Sequence, residues 1–165
     1  MLHAIQIVAI VLTALAMAPA FAHAFEFPGK RRLDKESYVA TQAIYYPGFT
    51  MLGLAEPAAQ IALVILLLLT PRHSMAFLLA VLALICVLGM QAVYWIFTHP
   101  TNRYWLEGAE TTLGKTGARF FTAGSSPGAA DWTKLRDRWE YSHIARAVLS
   151  FLGFVLMTLA AVLFS

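Results

Sequence analysis

The sequence predicts an all-α membrane protein built as a bundle of four transmembrane helices. Of its 165 residues, 59% are hydrophobic and only 13% are charged, whereas a soluble domain usually carries about 25% charged residues. Four apolar segments reach about the 20 residues that a helix needs to cross a bilayer. We expect a single domain over residues 1–165. The lone cysteine, Cys86, excludes an intrachain disulfide and a thiolate zinc site.

The transmembrane segments are expected at about residues 3–22, 49–70, 75–98 and 142–164. The first ends in an Ala-Phe-Ala sequence that resembles a signal-peptide cleavage site, but its basic residues follow the apolar run. A signal peptide carries basic residues in front of that run. We therefore expect the first segment to be retained as a helix.

The connecting segments carry predictions of their own. Residues 36–46 (ESYVATQAIYY) are expected to form an interfacial helix, which Pro47 and Gly48 separate from the second span. A long loop is expected between the third and fourth spans. Asp131 is expected to cap the helix that follows, because its carboxylate can accept backbone N–H groups. No Pro or Gly interrupts that helix before Gly153.

The positions of Lys and Arg predict the orientation, since these residues favour the cytoplasmic side. Four follow the first span and six lie between the third and fourth spans, whereas the loop between the second and third has only Arg72. We expect an integral protein of a bacterial inner membrane with both termini outside the cytoplasm. Because the basic residues fit this topology, nucleic-acid binding is not expected.

Five side chains that can bind a metal or move a proton are predicted at one edge of the bundle: His23, Glu26, His99, Glu140 and His143. Ionisable groups in such places cost free energy and indicate function. Glu140 and His143 are three residues apart, as are His23 and Glu26, and carboxylate-bridged di-iron bundles use this spacing. Iron or another transition metal is one alternative for these five, a mononuclear site included. A haem bound between two histidines is a less favoured alternative.

Further polar residues share helix faces with this cluster. Gln91, Trp95 and His99 are four residues apart on the third span and form one stripe. Glu56 is about two turns inside the second span, where a lone carboxylate should face the bundle interior. A similar face on the fourth span carries Trp139, His143 and Arg146.

These faces also predict a metal-independent chemistry. A histidine can act as general base and deprotonate an acidic phenol or hydroquinone, whose electron-rich anion reacts with oxygen or passes electrons on. Pockets for such molecules are mostly apolar with a few convergent polar groups. Four aromatic residues are candidates for the walls: Tyr45, Tyr46, Trp95 and Trp139.

Two motifs resemble a known family. The sequence His-Pro-Thr-Asn-Arg at 99–103 closes the third span, and WTKLRDRWEYSHIAR at 132–146 opens the fourth. This arrangement is similar to the anthrone oxygenase-like family of small four-helix membrane proteins. The resemblance implies oxygenation of aromatic anthrones to quinones without a conventional cofactor. The matching positions are Pro100, Asn102, Trp132, Trp139, His143 and Arg146.

Together these observations favour a membrane oxidoreductase whose site lies at the cytoplasmic edge and takes an aromatic, quinone-like or lipophilic substrate. His143 or His99 would be the base or ligand, and Glu140 would orient or share the proton. Substrate binding is assigned to Glu56, Gln91, Trp95, Asn102, Trp139 and Arg146, with Asn102 and Arg146 on an oxyanion. The alternative is a non-enzymatic accessory or lipid-binding subunit of a larger membrane complex. The expected partners are the bilayer, a lipophilic small molecule and, in the alternative, other membrane proteins.

Overall fold

The four expected spans are helices in the computed structural model, which describes residues 1–45, 48–105 and 131–163 and, for Arg103, the backbone alone. Within those ranges the chain forms helices and no strand, so the all-α prediction is confirmed. Tyr46, Pro47 and most of the predicted long loop, residues 106–130, lie outside the described residues. The helices are α1 (Leu2–Lys30), α2 (Lys35–Gln42), α3 (Gly48–Leu52), α4 (Ala55–Leu69), α5 (Met75–Val93), α6 (His99–Trp105) and α7 (Trp132–Leu163).

Four helical stretches are long and apolar enough to cross a membrane: Leu2–Lys30, Gly48–Leu69, Met75–Asn102 and Trp132–Leu163. Their outer faces carry large apolar side chains, such as Leu68 with 78% of its surface exposed. Such faces suit hydrocarbon rather than water. The four-helix membrane bundle predicted from composition is therefore confirmed.

The first and last helices extend further than the hydropathy indicated. Helix α1 continues past residue 22 to Lys30 and contains Pro19 and Pro28. Its last turns are held by an ion pair between Lys30 and Glu26, four residues apart. Helix α7 runs without a break from Trp132, as expected. Asp131 caps its start, accepting from the Thr133 hydroxyl at 2.6 Å and from the Thr133 N–H at 3.0 Å, and these hydrogen bonds lower the pKa of the Asp131 carboxyl.

The predicted interfacial segment is a helix over Lys35–Gln42 followed by a 3₁₀ turn, Ala43–Tyr45. It begins with an N-cap that the sequence analysis did not identify: the Asp34 carboxylate accepts from the Ser37 N–H at 2.9 Å. This segment packs against the start of α7, where Tyr38 and Tyr45 are buried in a cluster with Trp139. It therefore closes one end of the bundle.

Helices α5 and α7 approach closely at Gly153. A Cβ atom there would lie 3.4 Å from both Cys86 Cβ and Val87 Cγ2, and 3.5 Å from the carbonyl oxygen of Ala83. Small residues at helix crossings allow such contacts between transmembrane helices. Gly153 thus fixes the spacing between the two helices at mid-bundle.

The third span changes its winding before it ends. Tyr94–Thr98 forms a π-helical turn between α5 and α6, a feature often found at functional sites. Pro100 has no N–H to donate to the carbonyl of Ile96 four residues earlier. Arg138 of α7 donates to that oxygen at 2.7 Å. The distortion is therefore held from the neighbouring helix.

Candidate functional site

A cavity of about 510 Å³ lies between α1, α3, α4, the π turn and α7. Most of its wall is aromatic or aliphatic, and a few polar groups converge on it, which is typical of small-molecule sites. The lining residues are Pro19, His23, Tyr45, Phe49, Thr50, Gly53, Leu54, Glu56, Pro57, Gln91, Tyr94, Trp95, Thr98, Asn102, Trp139, His143 and Arg146.

The deepest polar group of the cavity is an ion pair. Arg146 of α7 donates to the carboxylate of Glu56 on α4, and both side chains are almost fully buried, at 6% and 5% exposure. The Gln91 amide is satisfied when its nitrogen faces Glu56. It then donates to Glu56 Oε2 at 3.0 Å and accepts from Trp95 Nε1 at 2.9 Å. Each charge is thus paired, as buried charges must be.

His143 is held in one tautomer by the same arginine. Its Nδ1 lies 3.3 Å from Arg146 Nη1. A guanidinium can only donate, so Nδ1 is the acceptor and the neutral ring carries its hydrogen on Nε2. That Nε2 is buried and has no partner among the described residues. His143 is therefore arranged as a hydrogen-bond donor.

His23 of α1 has the matching arrangement with a lysine. Its Nδ1 lies 3.2 Å from Lys30 Nζ, and an ammonium also can only donate. The ring is enclosed by aromatic neighbours, with centroid distances of 4.1 Å to His143, 4.4 Å to Tyr45 and 4.7 Å to Trp139. The two histidines that hydropathy placed on one side are therefore in direct contact.

Lys30 lies among three of the five residues predicted as metal ligands. Its ammonium has three acceptors: His23 Nδ1 at 3.2 Å, Glu26 Oε2 at 3.1 Å and Glu140 Oε1 at 3.4 Å. Only 5% of the Lys30 side chain is exposed. No group of three His, Cys, Asp or Glu side chains within the described ranges is arranged to hold a metal ion. A bound cation would have to displace the ammonium, so the geometry does not support the predicted metal site.

Two tyrosines complete the network around Lys30. Tyr45 donates to Glu26 Oε2 at 2.6 Å, and Tyr38 of α2 donates to Glu140 Oε1 at 2.9 Å. Burial, together with the neighbouring carboxylates, raises the pKa of both phenols above the ordinary value. Glu140 Oε2 is buried and unpartnered in the described part of the chain. Glu140 therefore belongs to a network with Lys30 and Tyr38 behind the cavity lining.

Asn102 connects the third span to α7. Its Oδ1 accepts from Trp139 Nε1 at 2.8 Å, and both side chains are buried. The amide nitrogen of Asn102 has two hydrogens, and the Tyr94 side chain is a further hydrogen-bond partner of Asn102 at the cavity wall. The motif around Pro100 and the motif at the start of α7 therefore meet at one point.

Comparison with known proteins supports the motif resemblance. The family model described as anthrone oxygenase matches residues 41–156, well over half of the chain. The protein belongs to the anthrone oxygenase family. A search of curated proteins and a search of solved structures found no match. The predicted family is thereby confirmed.

The family match covers one side of the cavity and stops short of the other. Glu56, His143 and Arg146 lie inside the matched range, whereas His23 and Lys30 on α1 precede it. The cavity thus combines residues of the anthrone oxygenase family model with a wall contributed by the first helix.

The predicted site residues fall into three groups. Eight of them line the cavity: His23, Glu56, Gln91, Trp95, Asn102, Trp139, His143 and Arg146. Glu26 and Glu140 contact Lys30 behind it. His99 lies beside the rings of Trp95 and Tyr94, at 4.8 and 5.6 Å between centroids, and is not part of the lining.

Among the residues that the sequence did not predict in the site are Lys30 and Tyr38, which contact Glu140, and Tyr94, which lines the cavity. The signal for Lys30 was present, because it follows Glu26 by four residues and His23 by seven, which places all three on one helix face. Its charge was instead attributed to membrane orientation. Tyr38 pairs with Glu140 across 102 positions of sequence, and no local pattern indicates such a contact.

Proposed function

We propose that this protein is a membrane-embedded oxygenase that acts on a flat, lipophilic phenol or anthrone in the cavity beside Arg146. The observation that carries the proposal is the cavity itself: about 510 Å³ of mostly apolar space with convergent polar groups. That volume is within the range of about 300–1,000 Å³ for small-molecule sites. The family match supports the reaction class.

The walls favour a flat ring system. Tyr45, Trp95 and Trp139 contribute aromatic surface from three different elements. Aromatic rings pack against one another in stacked or edge-to-face pairs that add about 0.5–1.5 kcal/mol beyond area burial. A tricyclic aromatic substrate would therefore gain contacts that an aliphatic chain of equal volume would not.

The polar groups suit ionisation of such a substrate. Arg146, Asn102 and the His143 Nε2–H are donors that can stabilise an anionic oxygen. Since His143 is arranged as a donor, we assign proton removal to the Glu56 carboxylate, whose oxygens keep lone pairs after accepting from Arg146 and Gln91. This role replaces the general base that the sequence analysis assigned to a histidine.

The electron-rich anion then reacts with dioxygen. For an anthrone, the CH₂ carbon becomes a carbonyl: one oxygen atom enters the product, and the other leaves with the two hydrogens as water. Dioxygen takes the four electrons that the carbon loses. The protein's residues bind the ring, accept the proton and stabilise the negative oxygen, and the shielded cavity limits side reactions of the anion.

The test uses purified protein in nanodiscs, an anthrone and ¹⁸O₂, with product labelling followed by mass spectrometry. We expect labelled quinone well above the spontaneous rate. Glu56→Gln should lose on the order of 100-fold in rate, as expected for removal of a general base. The matched control Glu36→Gln removes an exposed carboxylate on α2 and should retain the rate. Wild-type turnover at the spontaneous rate, or equal rates in the two variants, would reject the proposal.

A lipid-binding role is the second candidate. Two cavity-lining residues, Leu54 and Trp95, are 71% and 47% exposed, so the cavity reaches the outer face of apolar spans. An acyl chain could enter there from the bilayer. Native mass spectrometry separates the two functions: one retained lipid that an anthrone does not displace favours lipid binding over the oxygenase.

We also propose that both termini lie outside the cytoplasm, in a bacterial inner membrane. The support is the excess of Lys and Arg after the first span and between the third and fourth spans. A reporter that is active only in the cytoplasm, fused after residue 165, should be silent. Reporter activity would reverse the orientation and move the cavity end of the bundle to the other side.

A further inference from the structure

We infer that His23 is an additional substrate-contacting donor, held in its Nε2–H form by Lys30, and that the cavity therefore selects the anionic form of a phenol or enol. The inference rests on the proposed function in taking the cavity as the substrate site. It goes further by naming the ionisation state that is bound and by adding a residue from α1, which precedes the family match.

Lys30 sets the tautomer of His23. Lys30 Nζ lies 3.2 Å from Nδ1, whereas the Glu26 carboxylate is 3.7 Å away, beyond hydrogen-bond distance. Because an ammonium has donors and no acceptor, Nδ1 must present its lone pair to it. A neutral imidazole then carries its one hydrogen on Nε2.

The Nε2 atom of His23 has no hydrogen-bond acceptor within the described ranges. His23 lines the cavity, and nothing in the described part of the chain accepts a hydrogen bond from Nε2. Nε2 is not among the unpartnered polar atoms that are fully enclosed by the protein. An unpartnered nitrogen that is not fully enclosed keeps some accessible surface, and we place that surface on the cavity that His23 lines, where a substrate oxygen can accept the hydrogen.

Lys30 is held in place by its hydrogen-bond acceptors. Its three N–H groups have three acceptors, at 3.1, 3.2 and 3.4 Å, and its side chain is 5% exposed. Moving it would leave either a buried ammonium or the buried Glu140 carboxylate without its counter-charge, which is costly. Lys30 is thus a positioning residue that acts on the substrate through His23. The charged and titratable groups around these two side chains are Glu26, Tyr45, Glu140, His143 and Arg146.

A donor placed in a dry, preorganised cavity stabilises a negative oxygen more than a neutral hydroxyl. The Nε2–H of His23 and the donors of Arg146 lie on the same cavity. A phenol bound there should consequently ionise at lower pH than it does in water. This consequence can be measured without any oxygenation.

The experiment uses 4-nitrophenol, whose anion is yellow, with protein in nanodiscs. Equilibrium dialysis measures binding, and absorbance gives the pH at which half of the bound probe is ionised. In wild type this pH should fall by about one unit relative to the free probe, which is about a tenfold preference for the anion. His23→Phe, which fits the surrounding aromatic box, should lose most of that shift, and so should Lys30→Met.

Two control variants show whether Lys30 acts by positioning His23 or only by its positive charge. Lys35→Met removes an exposed lysine on α2 and should leave the shift intact, and Lys30→Arg should preserve it because arginine also only donates. ¹⁵N NMR should show a bare Nδ1 on His23 in wild type and a mixture of tautomers in Lys30→Met, a change that a purely structural lysine would not cause.

The outcomes distinguish the two proposals. Binding of the probe with no shift in wild type, or a full shift in His23→Phe, would overturn the role of His23 and leave the cavity as a phenol site. Failure of wild type to bind the probe would overturn the cavity as a phenol site and the inference with it. A melting curve for each variant ensures that only folded protein is compared.

Discussion

Replacing Arg146 with Met should destabilise the protein strongly, because it leaves the Glu56 carboxylate buried without its counter-charge. The two side chains are 6% and 5% exposed, so little water can take over the lost hydrogen bond. Within the described ranges, the donor that remains on that carboxylate is Gln91. Breaking a buried ion pair by removing one partner costs about 3–5 kcal/mol. The upper part of this range is expected, since the Nδ1 of His143 also loses its donor.

The assay is reversible unfolding in bicelles or by detergent titration, with helix content as the signal. Arg146→Met should lower the free energy of unfolding by about 3–5 kcal/mol. Adding Glu56→Gln removes the unpaired charge and should restore about half of the loss. Arg72→Met, which changes an exposed arginine in the short loop before α5, should stay within about 0.5 kcal/mol of wild type. A loss below about 1 kcal/mol for Arg146→Met would show that the pair is solvated and refute the reasoning.

Three further changes test other parts of the structure by the same unfolding assay. Since burial and a carboxylate raise the pKa of Tyr38 above 10.0, the folded state holds this proton more tightly than the unfolded state. Stability should therefore fall as pH rises above about 10, by up to about 1.4 kcal/mol per unit, and Tyr38→Phe should flatten that fall; an unchanged slope would contradict it. Trp139→Phe removes the 2.8 Å bond to Asn102 and should cost about 1–3 kcal/mol, whereas no loss would mean that the bond is dispensable. Gly153→Leu should cost about 1–3 kcal/mol, because even a Cβ atom there is 3.4 Å from Cys86; a neutral result would show that α5 and α7 can separate.

The fold was predictable because the bilayer imposes a simple requirement on composition and length. A transmembrane helix hydrogen-bonds its own backbone groups and is apolar over about 20 residues. A hydropathy profile shows the apolar character and the length of such a segment directly. Helix ends were less predictable. The extension of α1 to Lys30 depends on contacts with Glu26 and Glu140, one of which comes from the other end of the chain.

The site was predictable where helical spacing decides which residues share a face. Gln91 and Trp95, four residues apart, both line the cavity, as does Glu56, which was chosen for its depth in the second span. His99 belongs to the same stripe by spacing and its ring lies 4.8 Å from that of Trp95, but it follows the π turn over Tyr94–Thr98 and is not part of the lining. A uniform helical period cannot anticipate that shift.

The role of each charged group could not be read from its position in the sequence. Lys30 lies among basic residues that fit the rule for membrane orientation, yet it is buried between two carboxylates and a histidine. That placement gives the cluster a cation supplied by the protein itself. The spacing of Glu140 and His143 suggested metal ligands, but Glu140 faces Lys30 and Tyr38, while His143 faces the cavity.

The most direct test of the central claim is to locate a bound substrate analogue. A tricyclic phenol carrying a photoreactive diazirine would be crosslinked to the protein in nanodiscs, and the labelled residues would be identified by mass spectrometry. We expect labelling confined to cavity residues, such as Phe49 and Trp95, and its loss in the presence of excess unlabelled phenol. Labelling spread over the outer faces at Ile61 and Leu68, unaffected by competitor, would show that the cavity is not the binding site.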